Sequence, residues 1–148
     1  MDVPSREAAE PPAFECEPLL KLLGVGPGQA VGVAGPGSLE IMVALCRAGW
    51  ARVECALQAT CAGADETSDL LILTGPPERL GALTAKTARL LRDGGVLLAF
   101  LDHPEDDAPI RAALLGKGLS VTASVLDSRT GCVIAHRVER PALLARTA

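Results

Sequence analysis

Two long strand patterns close the chain, LSVTASVLD (119–127) and CVIAHRV (132–138), with only SRTG between them. A turn that short forces the two strands antiparallel, because a crossover to a parallel neighbour takes a dozen or more residues. Upstream the pattern changes. QAVGVAG (29–35), SDLLILT (68–74) and VLLAFL (96–101) are apolar runs of the kind buried on both faces of a parallel sheet, and each is followed by a segment with helical spacing. The expected fold is therefore α/β: a doubly wound, three-layer, Rossmann-like sheet, mostly parallel, of about six strands, finished by an antiparallel hairpin.

The remaining segments fit that frame. Residues 1–12 mix Pro, Ala and charge without periodicity and are read as a mobile tail; residues 13–148 are read as one domain, since 148 residues with 49% hydrophobic content suffice for one core. Phe14, Leu19, Leu20, Leu22 and Leu23 predict a short helix ended by GVGPG (24–28). After the first strand, a Gly-Pro-Gly turn leads into the helix SLEIMVALCRAG (38–49). RVECALQ (52–58) is expected to be the second strand, residues 76–93 and about 107–117 helices, and the terminal PALLARTA a short helical turn.

Composition removes several functions. A net charge of −4 with no cluster of Lys and Arg argues against nucleic acid and anionic membrane surfaces, and one Trp, two Phe and no Tyr leave no platform for stacking bases. No apolar run reaches membrane-spanning length, and the acidic, proline-containing start is unlike a signal peptide, so a cytoplasmic location is expected. Cys16, Cys46, Cys55, Cys61 and Cys132 include no CxxC pair and have only His103 and His136 for company; buried thiols are expected and no metal site.

GPGS (35–38) stands where a Rossmann-like fold receives a ligand, because glycine admits close backbone approach and a helix N-terminus offers unpaired N–H groups. A dinucleotide fingerprint would need a small residue where Glu40 stands, and Glu40 would repel a pyrophosphate; a first-turn acid supporting the helix dipole explains it better. Ser38 lacks the GxSxG elbow, which disfavours a hydrolase.

From about Leu19 to Val138 the chain resembles the class I S-adenosylmethionine (SAM) methyltransferases. LLKLLGVGPGQAVGVAGPG (19–37) is similar to the family's lead-in helix, Pro-Gly turn and first strand, TSDLLILTG (67–75) to its fourth strand, and ARLLRDGGVLLAF (88–100) to the approach to its fifth. The resemblance implies SAM contacts from Gly35, Pro36, Gly37 and Ser38, a ribose-binding acid at Glu54 and an adenine-loop acid at Asp65. It also exposes departures. Val33 stands where active members carry an acid, and Leu39 where they carry a third glycine. Only about nine residues separate the second strand pattern from SDLLILT, where the family fits a helix, a third strand and a loop; the third strand is expected to be missing. That loss would leave Arg52–Gln58 as an open sheet edge, a docking place for a protein partner or a second copy.

GPPE (75–78) is similar to the NPPY-type motif of amino-group methyltransferases, but Gly75 replaces its polar residue and Glu78 its aromatic one, so Pro76 and Pro77 are read as a helix start. Asp102 and His103 follow the VLLAFL strand, where His103 could serve as a base; an acidic lead into the next helix through Glu105, Asp106 and Asp107 is the simpler reading. His136 is read as a cross-strand surface residue. The departures imply a methyltransferase-like module with a degraded SAM site that binds a partner without transferring methyl groups, similar to the shortened N-terminal domain of anamorsin-type proteins. The alternative is an active SAM-dependent methyltransferase acting on a small-molecule or protein acceptor.

Overall fold

A computed structural model describes residues 20–21, 23–101, 108–126 and 131–137. The tail, the start of the lead-in helix, Asp102, His103, the acids before the last helix, Ser128, Arg129 and Thr130 of the SRTG turn, and PALLARTA lie outside the described residues. The order of elements is β1 (Val31–Ala34), α1 (Ser38–Arg47), β2 (Val53–Cys55), α2 (Ala56–Cys61), β3 (Ser68–Gly75), α3 (Pro77–Thr87), a 3-10 turn (Ala88–Leu90), β4 (Leu91–Leu101), α4 (Ala108–Gly116), β5 (Leu119–Leu126) and β6 (Gly131–Arg137).

The six strands form one sheet in the order β2-β1-β3-β4-β6-β5. β1 pairs in parallel with β2 and β3, and β3 with β4, whereas β6 runs antiparallel to both β4 and β5. The expected hairpin-terminated, mostly parallel sheet is present, and among the described residues β2 forms its edge with no further strand beyond it. The alternation of side chains along the buried strands divides the core in two. Val31, Val33, Leu70, Ile72 and Leu98 pack on one face against Ile41, Leu45 and Trp50 of α1 and its exit, and against Leu20 and Val25. Leu71, Leu73, Leu97 and Ala99 pack on the other against Ala56 and Ala59 of α2, Leu80 of α3, and Ile110 and Leu114 of α4. The lead-in helix and α1 end alike: the Val25 and Trp50 N–H groups reach back to the Leu20 and Leu45 carbonyls at 3.0 Å, an apolar residue on each side of the closing bonds.

Three expectations are corrected. The strand read over Arg52–Gln58 stops at Cys55, and Ala56 to Gln58 begin α2, whose buried Ala56 and Ala59 give it a helical rather than alternating pattern. The open edge is therefore only Val53–Cys55. The helix read over 76–93 ends at Thr87, and LRDGG opens β4 instead: β4 bulges between Leu91 and Val96, which pair with Ser68 and Leu70. Of the described cysteines only Cys132 is buried; Cys55 is partly buried, and Cys46 and Cys61 are exposed.

Candidate functional site

In open α/β sheets a ligand crevice forms at the carboxyl ends of the strands, where the strand order reverses. Here that place lies between β1 and β3. The chain leaves β1 over one face through α1 to reach β2, then crosses the other face through α2 to reach β3.

The turn after β1 is built on glycine for a steric reason. Gly35 has φ +110°, and a Cβ on it would fall 2.1 Å from the Thr74 carbonyl oxygen. Any side chain there would collide with backbone. The Thr74 hydroxyl in turn donates a hydrogen bond to the Pro36 carbonyl, so the ends of β1 and β3 are locked together. Gly37, with φ +78°, caps α1 without a side-chain bond; the Ser38 N–H donates to the Gly35 carbonyl at 3.1 Å and the Ile41 N–H to the Gly37 carbonyl at 3.2 Å. Glu40 is an exposed acid in the first helical turn, as its position suggested.

Beside this turn runs an open groove of about 350 Å³. Gly35, Pro36 and Thr74 form its sheet end, Leu57 of α2 one wall, and Glu78, Arg79, Ala82, Leu83 and Lys86 of α3 the other. The groove thus offers apolar surface from Leu57, Ala82 and Leu83, two cations and one carboxylate. That combination can hold a small ligand with an apolar body and an acidic or polar end.

The residues expected to contact SAM are only partly brought together. Gly35 and Pro36 line the groove, while Gly37 and Ser38 turn from it into α1. Glu54 pairs with Gly32 inside β2 and lines a separate cavity of about 430 Å³ with Arg52, Thr67 and Arg92. Asp65 lines a third, of about 300 Å³, with Glu66, Arg89, Lys117 and Arg137. Val33 is wholly buried in the core, and Leu39 is 70% exposed at the start of α1. Among the groove residues that sequence reading passed over, Arg79, Leu83 and Lys86 carry a recoverable signal: their spacing sets them on one helix face. Leu57 carries none, because RVECALQ fits a strand pattern as a local sequence. His136 sits on β6 within 3.1 Å of the Thr122 hydroxyl through Nδ1, a contact across the hairpin.

Among the described residues no group of three or more His, Cys, Asp or Glu could hold a metal ion, and no helix is long and apolar enough to cross a membrane. No protein-family model matches the sequence, and no curated protein matches it. Solved structures do. A candidate sarcosine dimethylglycine methyltransferase from Galdieria sulphuraria aligns with a TM-score of 0.66 at 13% identity, over 92% of this chain and 88% of that one. A geranyl diphosphate methyltransferase in complex with SAM aligns at 0.58 and 16% identity, over 85% of each chain. The ribosomal protein L11 methylase from Lactobacillus delbrueckii subsp. bulgaricus aligns at 0.58 and 16% identity, over 76% of this chain and 71% of that one. At such identities the likeness is one of fold, and the chain has the class I methyltransferase-like fold.

Proposed function

We propose that this chain is a methyltransferase-like domain that has lost its SAM site and works as a non-catalytic binding module, with the groove beside Gly35 and Pro36 open to a small ligand or a protein segment. The observation that supports this most is the scatter of the acids. SAM presents ribose hydroxyls and an ammonium group, which call for carboxylates close to the glycine turn; Glu54 and Asp65 line other cavities, and Val33 fills the core where an acid would be needed. Glu78 is the one carboxylate lining the groove among the described residues, and it shares the same helix with Arg79 and Lys86. On this reading the described residues do not make a SAM site by themselves.

A second reading, an active SAM-dependent methyltransferase, draws on the groove's position against the glycine turn and on a structural neighbour solved in complex with SAM. Titration calorimetry with SAM and S-adenosylhomocysteine, run beside thermal melts, separates the two, because a ligand bound only by the native state raises the melting temperature. The module reading expects neither heat of binding nor thermal shift at millimolar ligand. Saturable micromolar binding would overturn it in favour of the enzyme.

A further inference from the structure

The edge strand β2 is self-complementary, and we propose that two copies of this chain join there, β2 to β2 and antiparallel, extending the six-stranded sheet across a two-fold axis centred on Val53. The backbone dictates the centre. The Arg52 carbonyl accepts the Val31 N–H at 2.8 Å, so Arg52 and Glu54 turn their main-chain groups toward β1. Alternate residues of a strand direct these groups to opposite sides, which leaves the N–H and C=O of Val53 facing the open edge. A two-fold axis between antiparallel strands can pass through such a residue, since Val53 and its partner then exchange both hydrogen bonds.

The side chains agree with that register. With Val53 opposite Val53 of the partner subunit, Arg52 falls opposite Glu54 of the partner subunit, and Glu54 opposite the partner's Arg52. These are non-hydrogen-bonded pairs, in which the side chains stand closest, and opposite charges across them are favourable. Both residues are exposed and line one cavity at the sheet edge. The charge order Arg-Val-Glu thus reads as its own complement when reversed. A parallel partner strand in this register would set like charges side by side. Ala51 and Cys55, which come opposite one another at the ends of the paired segment, are small enough to let the backbones approach. None of these residues lines the groove beside Gly35, so the pairing goes beyond the proposed function and stands or falls separately from SAM binding.

Sedimentation velocity over a concentration series up to millimolar tests the pairing, using the full chain and three variants: Arg52→Glu, Glu54→Arg, and the two combined. Each single reversal sets like charges opposite one another twice across the axis; the double variant restores opposite charges with their places exchanged. The wild type is expected to dimerise reversibly, each single variant to weaken dimerisation roughly tenfold or more, and the double variant to recover it. Both positions of the series, Arg52 and Glu54, carry exposed side chains, and circular dichroism melts verify that each variant folds. A wild type monomeric throughout, a dimer indifferent to the single reversals, or a double variant as weak as the singles would overturn the proposal. Repeating the runs in high salt should weaken the wild-type dimer as well.

Discussion

The two ends of the sheet are built from different materials. At the amino end, arginines cross-link the loops. Arg92 pairs with Asp69 at 3.1 Å and donates from Nε to the Glu66 carbonyl at 3.0 Å; Asp69 also accepts the Ala30 N–H at 3.0 Å; Arg89 donates to the Thr60 carbonyl at 2.8 Å and Arg137 to the Ala88 carbonyl. At the carboxyl end, where open α/β sheets assemble their chemistry, the described turn holds two glycines, a proline and Ser38, with the Thr74 hydroxyl against Pro36 and the Glu40 carboxylate near Gly37. Among the described residues, Asp69 and three arginines tie the amino end together, whereas at the carboxyl end the Thr74 hydroxyl ties β1 to β3. The groove end keeps the backbone geometry of a ligand-binding fold, lined among the described residues by apolar surface, two cations and one carboxylate.

The largest expected effect is at the carboxyl end. Gly35→Ala places a Cβ against the Thr74 carbonyl in a positive-φ conformation, and denaturant unfolding should register a loss of about 3 kcal/mol or more. Near-wild-type stability would mean that the turn is not pinned there. Thr74→Val removes the bond to the Pro36 carbonyl and should cost about 1 kcal/mol, a modest figure because water can reach the exposed Pro36. Arg92→Met should cost somewhat less, about 0.5 kcal/mol, since the Asp69 pair is partly exposed and Asp69 keeps its bond to Ala30; the difference from wild type should shrink in high salt. Smallest is Ser68→Ala. The Ser68 hydroxyl is buried with no hydrogen-bond partner among the described residues, so thermal melts of this variant should match the wild type or run slightly higher. A clear loss would reveal a partner for that hydroxyl and move the polar anchoring of the amino end closer to β1.

The fold was legible because its strongest signals were local. SRTG alone dictates an antiparallel finish, and the apolar runs within β1, β3 and β4 (VLLAFL in the last) mark strands buried on both faces. Where local patterns are ambiguous, tertiary packing decides the element. VECALQ alternates well enough to pass for a strand, yet the helix begins at Ala56 because Ala56 and Ala59 supply one buried face. Leu91, Arg92 and Asp93 are compatible with a helix that continues α3, but pairing with Ser68 draws Leu91 into β4. The site was harder. Gly35 could be located because its backbone requirement is local. Glu54 and Asp65 could not, since their positions relative to that turn depend on where β2 ends and how α2 crosses the sheet, which no short window of sequence encodes.

The most direct measurement is a two-dimensional amide NMR titration of the labelled chain with SAM and S-adenosylhomocysteine, following the signals of Gly35, Gly37 and Ser38 against those of Glu54 and Asp65. The account predicts that none of the carboxyl-end amides shifts in a saturable way up to millimolar ligand. Saturable shifts at Gly35, Gly37 and Ser38 would contradict it, and would mean that the backbone of this turn holds SAM without the acids that the family places beside it.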